Sequence, residues 1–381
     1  MQLIYNEDQQ ILKESAQEFF TSKLPITNLR QLRDTKNEVG YDLECWKNMV
    51  ELGWSAVTIP EQYGGLEFGF KGLGVIFEQS GKTLAASPLL SNCALGTTAV
   101  LASTNESLRE RILPEVASGE KTLALALEEQ VFHAPYQVAT TIKADGDDYI
   151  ISGHKQFVLD GHIADDLVVV CRSSGKAGEK AGITLALVSA TADGVKRERK
   201  IMADSRNAAS IEFDQVRITT ADLLGTVGEG ADILEFALDV GRICLAAEMH
   251  GSLAEAFDRT LAYLKTREQF DVPIGSFQAL KHRAARMFCA VEMSKSVVMA
   301  GLDVLDSDPT PVERAKHASL AKGKVSEVAK LISDEMIQMH GGIGMTDESE
   351  VGFFLKRARV AALTLGDQRF HRDRWGELHE F

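Results

Sequence analysis

Arg267-Glu268-Gln269-Phe270, followed by Pro273-Ile274-Gly275-Ser276-Phe277-Gln278 and joined further along by Gln338-Met339-His340-Gly341-Gly342, decides how the rest of this chain is read. An arginine offers a fork of N–H donors to a pyrophosphate, paired glycines let backbone N–H groups approach it, and a phenylalanine covers a flat ring. Each piece alone has a plain reading: Arg-x-Gln-Phe as a helix end, and Gly341-Gly342 with Gly344 as a loop. The glycines do not form Gly-x-Gly-x-x-Gly, so no dinucleotide-binding crossover is implied. Their order and separation, taken together, are more specific than any one of the three pieces.

Around this arm the pattern is helical. From about residue 228 onward, Ala-rich amphipathic segments run over roughly 230–266, 278–304, 311–340 and 348–372, with loops short enough for an antiparallel bundle. Between about 120 and 227 the period changes to short β-type runs, Val168-Val169-Val170, Ile183 to Val188 and Ile211-Glu212-Phe213, separated by the turn signals Asp145-Gly146, Ser152-Gly153 and Asp193-Gly194. Residues 1 to about 119 read as helical again. Asn6 and Gln9 make a capping-box start ahead of Ile11, Leu12, Ala16, Phe19 and Phe20, and further helices are expected near 42–52, 70–85, 92–103 and 105–118. The expected domains are 1–119, 120–227 and 228–381.

Composition bounds the function. A chain of 381 residues with 45% hydrophobic content exceeds one typical core. A formal net charge of −14 argues against nucleic acid or an anionic membrane as partner. Cys45, Cys93, Cys171, Cys244 and Cys289 are scattered, odd in number and without metal-ligand spacing, which fits a reducing compartment and predicts neither a disulfide framework nor a metal site. Glu7 and Asp8 stand where a targeting segment would be basic, and the small-apolar stretch from Leu84 to Ala102 is broken by Pro88, Ser91 and Asn92, so a cytoplasmic protein is expected.

With these motifs in place the chain resembles the acyl-CoA dehydrogenase family over its whole length. Ile59-Pro60-Glu61-Gln62-Tyr63-Gly64-Gly65 is similar to the family's N-terminal signature. The resemblance implies an α+β multidomain fold: an N-terminal helical domain, a middle β-barrel-like domain, and a C-terminal four-helix bundle that also makes the oligomer. It implies FAD as cofactor, with Arg267, Phe270, Gln278, Gln338, Gly341 and Gly342 reaching across a dimer interface to the FAD of the neighbouring subunit. It also implies an acyl-CoA substrate and an electron-transfer flavoprotein or similar acceptor. Through His340-Gly341-Gly342-Ile343-Gly344-Met345-Thr346 and Phe277-Gln278-Ala279-Leu280-Lys281-His282-Arg283 the chain resembles the bacterial subgroup that includes the small subunit of pimeloyl-CoA dehydrogenase.

The departures from the family fall where its chemistry lies. The family's reaction takes the α-proton of an acyl-CoA with a carboxylate while the β-hydrogen leaves as hydride to the flavin. In many members the base is the Glu of Tyr-Glu-Gly-Thr, which corresponds here to Thr364-Leu365-Gly366-Asp367; the alternative base position corresponds to Gly241. Neither position carries an acid. Asp367 is the nearest family-placed carboxylate, either a displaced catalytic base or a helix-end acid. Arg242 matches the arginine beside the CoA site, or else pairs with Asp239; on one continuous helix Arg242 and Arg267 would share a face. The small polar strings that meet flavin and CoA appear here as Leu127-Glu128-Glu129 and Phe132-His133-Ala134. The Trp-Ile-Thr string appears as Phe157-Val158-Leu159, where Phe157 faces a ring or packs in the core and Leu159 has no hydroxyl to offer. His133, His282, His340 and His371 have no metal spacing and read as structural.

Two functions from different classes follow. One is an FAD-dependent acyl-CoA dehydrogenase, working alone or as one subunit of a homo- or hetero-oligomer with a paralogous subunit. The other is a non-catalytic partner that supplies the cross-interface arm, with a base-less flavin lyase of the same fold as a third reading.

Overall fold

The computed structural model describes residues 5–381. At its start Asn6 accepts the Gln9 N–H at 2.8 Å and Gln9 reaches back to the Asn6 N–H at 3.1 Å, so two N-terminal donors are met by the expected capping box. The helices that follow are α1 (Glu7–Lys23), α2 (Ile26–Asp34), α3 (Leu43–Glu51), α4 (Phe70–Lys82), a π-helical stretch Leu89–Gly96 that leads into α5 (Thr97–Leu101), and α6 (Glu106–Ala117). Next come the strands β1 (Leu123–Ala126), β2 (Thr141–Asp145), β3 (Asp148–Leu159), β4 (Asp166–Arg172), β5 (Ile183–Ser189), β6 (Val195–Ile201) and β7 (Asn207–Thr219). Beyond them lie α7 (Ala231–Thr266), a two-stranded hairpin of β8 (Glu268–Gln269) and β9 (Val272–Pro273), then α8 (Gln278–Leu305), α9 (Pro311–His340), α10 (Val351–Leu363) and α11 (Gln368–Leu378). The helical, β, helical order expected from the change of period is the order observed.

The chain forms two compact units, one of the chain up to Thr35 with Gly74–Ala85 and Arg242–Phe381, the other of Lys36–Leu73 with Ala86–Gly241. The second unit is built on a curled seven-stranded sheet in the order β1-β4-β2-β3-β7-β6, with β5 also paired to β4. β4 is buried on both faces and accordingly reads as an apolar run from Leu167 to Cys171, whereas β6 from Val195 to Lys200 alternates half-buried with exposed residues, most of them charged. Ile151, Val169, Ala186, Ile211 and Phe213 fill the sheet's core.

Ser152-Gly153 is not a turn between strands. It lies inside β3, where the register against β7 shifts between Ile151 and Gly153. A Cβ on Gly153 would stand 2.5 Å from Thr140 Oγ1, so the glycine serves a bulge with close strand approach. A second shift, between Lys155 and Val158, brackets Phe157, whose φ is +51°.

In the first unit α9 packs against α8, α10 and α11. Thr310 and Glu313 form its capping box, and Pro311 stands at its first turn, where the missing N–H costs nothing. The expected single helix over 348–372 is two helices, because the chain turns sharply between Leu363 and Gln368. α4 crosses α7 on two glycines: a Cβ on Gly81 would lie 1.9 Å from the Glu248 carbonyl oxygen, and one on Gly251 would lie 1.8 Å from that of Glu78. Gly251→Ala should therefore destabilise the protein by about 3 kcal/mol, because backbone cannot repack around an added methyl. An unchanged melting temperature in this variant would contradict that crossing.

Candidate cofactor and reaction site

Tyr263 brings the ends of α7 and α9 together. Its ring stacks on His340 with centroids 4.4 Å apart, and its hydroxyl donates to the His340 carbonyl at 3.3 Å. Arg267 follows one turn later, its N–H bonded to the Tyr263 carbonyl at 2.8 Å, and its own carbonyl accepts the Ile274 N–H at 2.8 Å across the β8–β9 hairpin. At the hairpin tip Phe270 and Asp271 take φ values of +56° and +62°, leaving the Phe270 ring 86% exposed and edge-on to Phe277 at 6.2 Å. Next to His340, Gly341 adopts φ +64°, ψ −143°, a combination open to glycine alone. A Cβ added to Gly341 or Gly342 would meet nothing within 4 Å, so the backbone there is open. Gln278 opens α8 and Gln338 lies in the last turn of α9; both are exposed, as are Arg267, Gly341 and Gly342.

The second locus is the turn between α10 and α11. Leu365 is buried and left-handed at φ +58°, and Gly366 follows at +106°. Asp367 caps α11, its carboxylate accepting the Phe370 N–H at 2.8 Å, and its side chain is exposed. Three buried basic side chains reach the main-chain carbonyls of this turn. Arg242 Nε donates to Leu365 O at 3.3 Å with its guanidinium 5.5 Å over the Phe370 ring, and His371 Nε2 meets the same oxygen at 3.1 Å. Lys322 Nζ donates to Ala362 O at 3.1 Å, Gly366 O at 3.0 Å and Ser326 Oγ at 3.2 Å. Burial pushes the Lys322 ammonium down to about 7, the Arg242 charge adds to this, and Asp367 opposes it.

Arg242 and Arg267 do not form one stripe. α7 ends at Thr266 before Arg267, and Arg242 is fully buried while Arg267 faces solvent.

The sheet unit carries the remaining positions. Phe157 is 47% exposed, so its ring is not a core side chain. The loop after β1 is tied beside it by the Gln156 N–H to Glu128 O bond at 2.7 Å. The Glu128 carboxylate pairs with the His133 ring, while Glu129 takes Lys155 Nζ at 2.7 Å and the N–H groups of Ala139 and Thr140 at 2.7 and 2.9 Å. Leu159 is half-buried and lines a cavity of about 20 Å³ with Tyr41, Ser87, Leu90 and Asp160, room for one water molecule. Ser91 Oγ donates to Asp160 at 2.6 Å, and burial pushes that carboxyl up to about 6.

Family models for the acyl-CoA dehydrogenase N-terminal, middle and C-terminal domains match residues 6–120, 125–216 and 228–377. The chain belongs to the acyl-CoA dehydrogenase family. Acyl-CoA dehydrogenases are FAD-dependent flavoprotein oxidoreductases. The chain is 29% identical over 373 residues to the 3-(aryl)acrylate reductase of Clostridium sporogenes, covering 96% of each. It is 27% identical over 381 residues to a subunit of the caffeyl-CoA reductase-Etf complex of Acetobacterium woodii, again covering 96% of each. The crystal structure of an acyl-CoA dehydrogenase from Geobacillus kaustophilus superposes with a TM-score of 0.90 at 25% identity, over 99% of both chains.

The arm fits the FAD of an acyl-CoA dehydrogenase. An exposed guanidinium, two glycines with open backbone and an uncovered aromatic ring are the donors and the surface that a pyrophosphate and its nucleotide require. On the sheet the fit is poorer: Leu159 offers no hydroxyl, and Glu128 is engaged by the His133 ring. Sequence reasoning did not single out Lys322 or Asp160, and it read His371, which meets the Leu365 carbonyl, as structural. The one available signal was a lysine on the apolar stripe of Ala318, Ala321 and Val325. Among the described residues no helix is long and apolar enough to cross a membrane, and no cluster of His, Cys, Asp and Glu could hold a metal.

Proposed function

We propose that this chain is one subunit of a cytoplasmic, hetero-oligomeric acyl-CoA dehydrogenase, in which its arm holds the FAD of a paralogous subunit that carries the catalytic carboxylate. The observation behind this reading is position 365: an apolar residue occupies the family's base position, and Gly241 occupies the other. FAD, when bound, supplies the acceptor for the hydride that leaves the β-carbon of the acyl-CoA. Arg267 is proposed to pair with its pyrophosphate, Gly341 and Gly342 to offer backbone N–H groups, and Phe270 and the two glutamines to border the nucleotide. Phe157 and Leu159 are proposed as the remnant of this chain's own flavin-facing strand. Arg242 acts on the substrate side through the Leu365 carbonyl that it holds.

The relative from an Etf complex supports an electron-transfer flavoprotein as acceptor. The motifs Phe277 to Arg283 and His340 to Thr346 support placement near the pimeloyl-CoA dehydrogenase small subunit.

FAD stoichiometry tests the reading. Purified alone, the chain should bind little FAD; co-expressed with its paralogue it should give a yellow assembly that bleaches with an acyl-CoA. Arg267→Ala in that assembly should lower FAD occupancy, since a bidentate charged contact is lost. A yellow homo-oligomer with one FAD per chain that bleaches with acyl-CoA would overturn the proposal.

A further inference from the structure

We propose that Asp347 is a positioning residue for the FAD arm, its carboxylate held by Arg30 and Arg33 of α2 so that the loop carrying Gly341 and Gly342 is fixed at its far end. This rests on the reading that the arm holds the paralogue's FAD.

Between α9 and α10 the chain has little to pack with. Of residues 341–350 only Gly344 is buried, and Ile343 and Met345 are exposed, so no apolar side chain anchors the loop. At its root His340 stacks on Tyr263, and the His340 ring Nδ1 meets the Met336 carbonyl at 2.7 Å. The tight helical turn Gly341–Met345 follows, closed by the Thr346 N–H and hydroxyl, which reach the Ile343 carbonyl at 3.1 and 2.8 Å. Asp347 comes next, and from there the anchors are ionic.

Arg33 grips the Asp347 carboxylate with both prongs, Nη1 to Oδ1 at 2.6 Å and Nη2 to Oδ2 at 2.7 Å. Arg30, one turn earlier on the same face of α2, donates from Nη1 to the Asp347 carbonyl at 2.6 Å and to Oδ2 at 3.2 Å. Both guanidiniums lie over the ring of the buried Phe353, at 4.8 and 4.9 Å, which holds their planes in place. Three residues on, Glu350 pairs with Arg259 of α7, whose guanidinium lies 5.5 Å over Phe354. The two glycines with open backbone therefore sit between a stacked histidine and a clamped aspartate. Backbone ordered before a nucleotide binds loses less freedom on binding, and this is what the clamp supplies. The Asp347 side chain is 68% exposed, so dissolved salt competes for it.

The test uses Asp347→Ala and Arg33→Met, read by hydrogen exchange of amides 341–346 in the chain alone and by the rate of FAD release from the co-expressed assembly. Both variants should melt at the wild-type temperature, since exposed ion pairs contribute little to global stability. Amides 341–346 should nevertheless exchange about 5- to 10-fold faster, and FAD should leave faster by a similar factor, as expected for a lost bidentate charged contact. The double variant should match the single ones, because either change opens the same clamp. In the wild-type chain, raising NaCl from about 0.05 to about 0.5 M should speed exchange at 341–346, and the variants should respond far less. A lower melting temperature with faster exchange throughout α9 would make the pair an ordinary structural contact and overturn the proposal, as would unchanged exchange at 341–346. Should Arg33→Met fail to fold, Asp347→Ala and the wild-type salt series decide. FAD release separates this inference from the reading beneath it. If Arg267→Ala speeds release and Asp347→Ala does not, the arm stands and the positioning role is rejected; if neither does, the arm reading itself fails and takes the positioning role with it.

Discussion

Arg357→Ala should remove about 3–5 kcal/mol of stability, the cost of breaking a buried ion pair from one side. Arg357 is almost fully buried on α10, its Nη1 3.1 Å from the Glu248 carboxylate on α7 and its Nη2 3.1 Å from the Leu84 carbonyl beyond the end of α4. Two helices and the segment after α4 therefore meet at one guanidinium. Truncation takes the guanidinium away from the Glu248 carboxylate and the donor away from the Leu84 carbonyl, and both losses act together. The double variant Arg357→Met with Glu248→Gln should recover much of the loss, because the stranded charge is gone. A fall in melting temperature in the double variant as large as in the single one would show that packing, and not the stranded carboxylate, sets the cost.

Asp367→Asn should leave turnover of the co-expressed assembly unchanged, while replacing the paralogue's catalytic carboxylate by its amide should cost about 10²–10⁴-fold, the range for a lost general base. Asparagine caps a helix about as well as aspartate, so the variant keeps the bond to the Phe370 N–H and loses only the capacity to take a proton. Stability then serves as the internal control: equal melting temperatures mean that any change in rate is chemical. A loss of several orders of magnitude in Asp367→Asn would make Asp367 the base and let the chain work alone.

The sequence displayed some of this and hid the rest for definable reasons. α8 and α9 were legible over nearly their full lengths, because their apolar stripes are long and α9 carries Thr310, Pro311 and Glu313 at its start. The break at Leu365 was not, since periodic residues continue on both sides and a leucine gives no hint of a left-handed backbone; Gly366 followed by the cap Asp367 was the signal that outweighed them. Ser152-Gly153 looks the same in a turn as in a bulge, and only the approach of Thr140 separates the two. The exposed Arg267 and the open glycines Gly341 and Gly342, on which the proposed arm rests, stand out in the sequence because an arginine and a glycine pair are specified by residue type. The clamp on the turn does not, because its acceptors are main-chain carbonyls, which every residue has.

The crossing of α4 and α7 bears on how such a chain can change over time. Its two glycines face main-chain oxygens, which have no alternative rotamer, so neither position can accept even the smallest side chain until the helices slide apart. Sliding would in turn strand the guanidinium of Arg357, which reaches both the helix holding Glu248 and the segment holding Leu84. Single substitutions can therefore wander freely over the solvent-facing side of this unit, yet every stepwise route through that crossing passes through a weakened protein. Sequence drift is channelled outward, toward the exposed hairpin after α7 and the loops, where a substitution leaves the frame undisturbed.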